Sequence, residues 1–241
     1  MRLVKISRNL SNEVEKIPTK KAAPFTYNPL SYARIPHELY LSRYGTGAKE
    51  VLLLGMNPGP FGMAQTGVPF GDVTMVRDFL GIVGKVKSPP GEHPRRPISG
   101  FDCSRSEVSG TRLWSFARDH FKSPDAFFRR FFVANYCPLV FMEESGKNLT
   151  PDKVSKDVRS LIEAACDKAL REIVAELRPK WVLGVGGFAE KQARRALATS
   201  NVQVGTILHP SPASPLANRG WAAQVEKQLA ELGIAIPRTT K

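Results

Sequence analysis

Cysteine is scarce in this chain and never occurs as a close pair. Among 241 residues the cysteines are Cys103, Cys137 and Cys166, and no CxxC motif is present. An odd number of widely spaced cysteines does not form a disulfide framework and is typical of proteins from a reducing compartment. Three scattered thiols also fall short of the four thiolates that hold an iron–sulfur cluster. These absences argue against a disulfide-stapled secreted domain and against an iron–sulfur enzyme.

Histidine and long apolar runs are also sparse. The chain has four histidines, no HExxH motif and no two histidines at metal-binding spacing, so we predict that the protein uses no metal and no cofactor. No stretch approaches the ~20 apolar residues of a membrane span. The first residues, MRLVKISRNLSNEVEK, lack the apolar core of a secretory signal. We therefore expect an intracellular protein with no membrane partner.

Charge, in contrast, is strongly one-sided. The formal net charge is +13 and the calculated pI is about 9.9. A fold does not need such an excess, and the usual partners of a basic protein are nucleic acid and anionic membrane surfaces. The alternative is that the excess positive charge only keeps the protein soluble. Nucleic acid is the partner we predict.

The length favours one sizeable domain. Residues 1–25 are polar and basic, and we interpret them as a basic N-terminal arm that precedes a domain at 26–241. Residues 86–105 hold four prolines and two glycines, which predicts a long surface loop.

Strand and helix patterns alternate along the rest of the chain. Short, continuous apolar runs predict buried strands at 50–54, 130–134, 181–185 and 202–208. Helical spacing predicts helices from Thr150, as N-cap, to Leu177, at 188–197 and at 221–232. The predicted fold is therefore α/β, a parallel sheet with helices on both faces. Ligands of such sheets bind beyond the carboxyl ends of the strands.

The first predicted strand runs into the segment GMNPGPFGMAQTGVPFGD, at residues 55–72. Its glycines and prolines predict a tight loop, and no Walker motif is present. Asn57 either faces a cleft or merely caps its own backbone. Phe70 lies in the same stiff loop, where it either stacks on a base or belongs to the core.

The second predicted strand ends in Asn135. A primary amide presents donors and an acceptor side by side, and one amide can pair with a base edge that presents a carbonyl oxygen beside a ring N–H. A base edge with the reverse pattern is refused, which gives such a site strong discrimination. The alternative is that Asn135 is only a turn residue.

The last predicted strand ends in His209, which the segment PSPASPLANRGW follows. Three prolines stiffen this loop, and its hydroxyls and backbone N–H groups suit phosphate. A structural role for the histidine is the alternative to a catalytic one. The residues that we expect to contact DNA are Ser211, Pro212, Ala213, Ser214, Pro215 and Arg219.

One motif resembles the dinucleotide-binding fingerprint but lacks an essential part of it. Gly184, Gly186 and Ala189 spell GxGxxA between a strand and a helix. The dinucleotide fingerprint also needs an acidic residue at the end of the next strand. That strand ends in His209, so we interpret the glycines as a tight turn.

The two glycine- and proline-rich loops together resemble the single-strand-selective monofunctional uracil-DNA glycosylases. The stretches MVRDFLGIVG, EVSGTRLW and NLTP resemble the same family, so the likeness spans about residues 51–233. It implies one α/β domain with a central, mostly parallel four-stranded sheet. It also implies base-excision repair of uracil and some 5-substituted uracils, in single- and double-stranded DNA, by a monomer.

The resemblance also implies roles for individual residues. Asn57 matches the asparagine that positions water, His209 the histidine that stabilises the departing base, Asn135 the residue that recognises uracil, and Phe70 the aromatic that stacks on it. Gly59 matches the small residue beside C5 of the base. Further pocket-lining positions are Met56, Pro58 and Met63.

The loop after His209 departs from the family at one position. The resemblance implies a long basic residue where this chain has Ala213. A methyl group cannot hold a base stack open, so a preference for single strands and for U·G over U·A is expected. Two other interpretations are a non-catalytic nucleic-acid-binding module and a mismatch-specific uracil/thymine glycosylase.

Overall fold

The computed structural model describes residues 1–239. The strands are β1 (Phe25–Tyr27), β2 (Val51–Gly55), β3 (Phe131–Asn135), β4 (Val140–Met142), β5 (Asn148–Leu149), β6 (Trp181–Val185) and β7 (Gln203–Ile207). The α-helices are α1 (Arg2–Glu15), α2 (Pro29–Tyr32), α3 (Arg34–Tyr44), α4 (Met63–Thr66), α5 (Val108–Phe121), α6 (Pro124–Phe128), α7 (Lys156–Leu177), α8 (Gly187–Ala196), α9 (Pro215–Asn218) and α10 (Trp221–Glu231).

A four-stranded, fully parallel sheet forms the centre, in the order β3-β2-β6-β7. All five residues of β2 are buried, because strands lie on both of its sides and helices cover the faces of the sheet. Helix α8 packs on β6 and β7, and α10 packs on β7. The predicted α/β class and each of the four predicted central strands are confirmed.

A second, antiparallel sheet in the order β1-β4-β5 was not predicted. Its strands are two or three residues long, too short for a hydrophobic period to show in the sequence. It anchors the proline-rich loop at 86–105, because the Tyr27 hydroxyl donates to the carbonyl of Arg96 and accepts from the N–H of His93. That loop contains one 3₁₀ turn, Gly100–Asp102, and is otherwise irregular, as predicted.

The prediction of a separate N-terminal arm is wrong. Helix α1 packs against α7, and its residues Leu3, Ile6, Leu10 and Val14 are buried in the main core. These side chains recur at the spacing of one helix face, and their burial ties the segment to the domain. Residues 1–25 therefore belong to the same domain as the rest of the chain. Residues 240–241 of the predicted domain lie outside the described residues.

The predicted start of the long helix is wrong, whereas the predicted tight turn after β6 is confirmed. The long helix does not begin at Thr150: a 3₁₀ turn occupies Pro151–Lys153, Val154 is extended and buried, and α7 starts at Lys156. The glycine motif after β6 is a tight turn, with Gly186 at a φ of +93°. No helix within residues 1–239 is both long enough and apolar enough to cross a membrane.

Candidate active site

The carboxyl ends of the parallel strands bring three predicted residues together. Gly55 is the register partner of Asn135 on the neighbouring strand. A Cβ atom at Gly55 would collide with the Asn135 amide oxygen and lie 2.7 Å from the Phe70 ring. The Phe70 and His209 rings are 6.1 Å apart between centroids. Residues more than sixty positions apart in the chain therefore lie together at the carboxyl end of the sheet, and only glycine fits at position 55. We call the space beside Phe70, Asn135 and His209 the cleft.

Phe70 is held rigidly in an unusual conformation. Its φ is +53°, in the left-handed region that bulky residues rarely adopt. Its carbonyl accepts hydrogen bonds from the indole N–H of Trp114 and from the N–H of Asp72, both at 2.9 Å. The ring is 8% exposed. The ring packs in the hydrophobic core, and one edge of it faces the space beside Gly55 that Asn135 also borders. Stacking of this ring on a base stays a prediction.

Asn135 keeps hydrogen-bonding capacity toward the cleft. Its Nδ2 donates to the sulfur of Met63 at 3.2 Å. A primary amide has a second N–H and a carbonyl oxygen. Asn135 can therefore present one donor and one acceptor to a planar ligand, while the buried Met63 fixes its orientation.

Asn57 is oriented by a backbone carbonyl of the loop between β3 and β4. Its Nδ2 donates to the carbonyl of Leu139 at 3.1 Å, and Cys137 N–H donates to Met56 O at 2.9 Å. The interpretation that Asn57 caps its own backbone is wrong, because the amide bonds the loop after β3 instead. The bond to Leu139 fixes the plane of the amide, and Oδ1 is the amide atom that can accept a hydrogen bond from water.

His209 has a defined tautomer. Its Nδ1 lies 3.1 Å from the backbone nitrogen of Ser211, which can only donate. A neutral imidazole that accepts at Nδ1 carries its proton on Nε2. Burial lowers the pKa of His209 below its usual value. The ring is therefore neutral near pH 7 and offers one N–H donor.

The loop after His209 is braced from α5 by Arg112, which sequence reasoning missed. Arg112 Nη1 donates to the carbonyls of Pro210 and Ser211 at 3.1 and 3.3 Å, and Nη2 donates to Asn218 Oδ1 at 2.9 Å. No local motif signals this residue, because its partners lie about 100 positions away. The bonds hold the loop against the body of the domain.

The predicted DNA-contacting residues lie together on this braced loop. Ser214 Oγ caps α9 by accepting from Ala217 N–H, and Ser211 Oγ accepts from Ala213 N–H. Both hydroxyls keep a proton to donate. Pro212, Ala213, Pro215 and Arg219 are exposed. Their contact with DNA stays a prediction.

Glu107 is the second residue that sequence reasoning missed. It is the N-cap of α5, and its Oε2 accepts from Gly110 N–H at 2.9 Å. Burial raises the pKa of Glu107 to about 7, the Gly110 N–H opposes the shift, and the Asp72 carboxyl adds to it. A Cβ atom at Gly59 would lie 3.5 Å from its Oε1. A partly protonated carboxyl thus borders the loop at the end of β2.

The remaining predicted pocket residues belong to that loop. Met63 contacts Asn135 directly. Met56 and Gly59 are half-buried and Pro58 is buried. Their contacts with a base stay predictions. Within the part of the chain that the structure describes, no three His, Cys, Asp or Glu side chains are grouped to hold a metal ion.

Comparison with known families defines the class of protein. A family model described as the uracil DNA glycosylase superfamily matches residues 42–232. This range contains the three loops of the cleft, with Asn57, Asn135 and His209. The chain belongs to this superfamily.

Similarity to curated proteins narrows the class to one family. The chain is 50% identical over 227 residues to a protein of Bos taurus named single-strand selective monofunctional uracil DNA glycosylase, covering 93% of this chain and 84% of that protein. Proteins of the same name from Rattus norvegicus and Mus musculus are 52% and 51% identical, covering 93% of this chain and 82% and 81% of those proteins. Within the superfamily, the chain is a member of this family.

A solved structure supports the fold independently. The crystal structure of SMUG2 from Pedobacter heparinus superposes with a TM-score of 0.66 at 18% identity, covering 95% of this chain and 97% of that chain. At this identity the likeness concerns the fold alone.

Proposed function

We propose that this protein is a base-excision-repair glycosylase that flips uracil out of DNA and hydrolyses its N-glycosidic bond. The observation that carries the proposal is the His209 tautomer: a neutral ring with its N–H on Nε2, in the same cleft as Asn135 and Phe70. A non-catalytic nucleic-acid-binding module does not require this arrangement, and family membership does not favour it.

Recognition rests on Asn135 and Phe70. A base in a duplex is inaccessible and must leave the stack, at a cost of a few kcal/mol. In the cleft, the Phe70 ring stacks on the flipped base while the Asn135 amide donates to O4 and accepts from N3–H. Cytosine presents the opposite pattern at these two atoms, which leaves buried polar groups unpaired and disfavours it.

Bond cleavage rests on His209 and Asn57. As the bond between C1′ and N1 breaks, the sugar gains positive charge and the base gains negative charge. His209 Nε2–H donates to O2 of the departing base, where the negative charge develops. Asn57 Oδ1 accepts a hydrogen bond from the water that attacks C1′. An amide is too weak a base to deprotonate that water fully, so we expect slow turnover.

The proposed partner is uracil-containing DNA, both single- and double-stranded, and the proposed assembly is a monomer that needs no metal or cofactor. The protein acts inside the cell, where the DNA is. The net charge of +13 supports attraction to the phosphate backbone.

The experiment that tests the proposal uses uracil-containing oligonucleotides with and without a chelator, followed by alkali. We expect uracil release in both conditions and an intact abasic strand until alkali is added. Activity that a chelator abolishes, or strand cleavage before alkali, would show that the proposed chemistry is wrong.

Gly59→Tyr is expected to abolish excision of 5-hydroxymethyluracil while some uracil excision remains. Gly59 has an ordinary negative φ, and its Cβ would make only normal contact with Glu107. A tyrosine ring beyond that Cβ fills the space for a C5 substituent, and overpacking there is unfavourable. Single-turnover rates on the two substrates measure the effect.

Gly59→Ala is the matched control and should leave both rates close to wild type, because a methyl group fits beside Glu107. An equal loss on both substrates in Gly59→Tyr would mean that the ring disrupts the loop instead of blocking the pocket.

Ala213→Arg is expected to raise excision from a U·A duplex more than from single strands. The exposed methyl group of Ala213 fills little of the space that a flipped base leaves, whereas an inserted arginine offsets part of the unstacking cost. Single-turnover rates on single-stranded, U·G and U·A substrates test this expectation. Ala230→Arg adds the same charge on α10 as a control. Equal acceleration of all three substrates by Ala213→Arg would contradict insertion of this side chain into the base stack.

A further inference from the structure

One aromatic side chain in the loop after β2 does not belong to the core. Phe61 follows Asn57 by four residues, so the two Cα atoms lie within ~14 Å of each other. The Phe61 side chain is partly exposed, and among the described residues it packs against neither hydrophobic cluster. A ring so close to the cleft and outside the core is available to hold other side chains.

Two arginines of the proline-rich loop at 86–105 pack on this ring. The guanidinium carbon of Arg105 lies 3.9 Å from the centre of the Phe61 ring, and that of Arg96 lies 5.4 Å from it. A guanidinium group within about 6 Å of the centre of an aromatic ring is attracted to the ring face. The ring therefore holds two positive charges beside the loop that borders the cleft. We call Phe61, Arg96 and Arg105 the arginine–phenylalanine cluster.

A buried glutamine joins the two loops that form this cluster. Gln65, on α4, is 1% exposed. Its Nε2 donates to the carbonyls of Pro60 and Pro97 at 3.0 and 3.1 Å. Its Oε1 accepts from the N–H groups of Ser99 and Gly100 at 2.9 and 3.1 Å. The amide thus uses both donors and both lone pairs, and a fully satisfied buried group of this kind holds the loops rigidly together.

The two guanidinium groups of the cluster keep their charge for a ligand. Arg96 donates to two backbone carbonyls, from Nε to Gly146 at 2.8 Å and from Nη1 to Arg95 at 3.4 Å. Among residues 1–239, neither Arg96 nor Arg105 forms an ion pair with a carboxylate. A planar cation with N–H groups to spare suits phosphate, to which a guanidinium group can donate two parallel hydrogen bonds.

The position of the cluster indicates which phosphates it reaches. In the sheet order β3-β2-β6-β7, strand β6 separates the loop after β2 from the loop after β7, which carries His209. The two loops therefore approach a DNA strand from different directions. Resting on the proposed function, we propose that Arg96 and Arg105, oriented by Phe61, form a second DNA-binding surface that holds phosphates next to the flipped nucleotide. Contacts of this kind carry no sequence information, so they serve single strands and duplexes alike.

The test measures how binding depends on salt. On single strands, each phosphate contact contributes about 0.7 to the slope of log K, the association constant, against log salt concentration. The probe is a single-stranded oligonucleotide with one abasic-site analogue, which the enzyme cannot process. We expect Arg96→Gln and Arg105→Gln each to make the slope shallower by about 0.7, and the double variant by about 1.4. An unchanged slope in the double variant would overturn the proposal.

Two controls separate phosphate contact from a general loss of charge or of structure. Arg129→Gln removes an exposed charge just before β3, at the edge of the sheet opposite the cleft, and should leave the slope unchanged. The double variant Arg96→Lys, Arg105→Lys keeps both charges and should also keep the slope near wild type. If either control lowers the slope as much as the glutamine variants do, the proposed surface is wrong.

Phe61→Leu tests the ring separately, because leucine keeps an apolar side chain but has no aromatic face to orient the arginines. We expect the affinity for the same oligonucleotide to fall about threefold. Affinity equal to wild type would show that the ring does not orient them. If wild type binds the oligonucleotide with the expected slopes but releases no uracil from a uracil-containing strand, the proposed function fails while this DNA-binding surface stands.

Discussion

His209→Ala is expected to lower the single-turnover rate of uracil release by about 10²–10³-fold. The Nε2–H of the neutral ring meets the negative charge that develops on the departing base, and alanine has no donor to replace it. The Ser211 N–H bond fixes this tautomer, so the donor is already in place before the bond breaks. Affinity for DNA should change little, because the interaction strengthens only in the transition state.

His120→Ala is the matched control for this prediction. His120 is also a buried histidine, but its Nδ1 contacts the carbonyl of Pro237, away from the cleft. Its loss should affect stability and leave the rate of the folded enzyme unchanged. A His209→Ala protein that excises uracil at a near-wild-type rate would remove His209 from the proposed mechanism.

Asn57→Ala is expected to produce the second large effect, a fall of about 10²-fold in the same rate. Its Nδ2 bond to Leu139 orients the amide, and the free Oδ1 positions the water that attacks C1′. Without the amide, water reaches the sugar in many orientations, and the advantage of a positioned reactant is lost. Gel-shift measurements should show nearly unchanged binding of uracil-containing DNA.

Asn28→Ala serves as the control, because Asn28 is also a hydrogen-bonded asparagine but contacts Ser11 on the N-terminal helix. Rates for this variant should match wild type. If Asn57→Ala and Asn28→Ala have equally small effects, Asn57 does not position the water.

The grouping of candidate residues at one edge of the central sheet could be predicted from the sequence. Parallel strands end at the same edge, so Asn57, Asn135 and His209, each following a short apolar run, were expected to meet. The structure places Asn135 and His209 beside Phe70, as the register between Gly55 and Asn135 requires for Asn135. The roles assigned to these residues come from the family resemblance and remain to be tested.

The supporting residues could not be predicted in this way. Glu107 and Arg112 both lie on α5, yet their contacts reach Gly59 in one direction and the loop after His209 in the other. Such contacts depend on how a helix packs, and no local period or motif encodes them. The N-terminal segment was misjudged for a different reason: its charge obscured a regular apolar face that was present in the sequence.

The proposed mechanism is tested most directly by measuring free uracil released from a single-stranded oligonucleotide by wild type and by the double variant Asn57→Ala, His209→Ala. We expect release by wild type, with one abasic site formed for each uracil released. We expect almost none from the double variant, although the variant still binds the oligonucleotide. Absence of release by wild type, or equal release by both proteins, would contradict the proposed roles of Asn57 and His209.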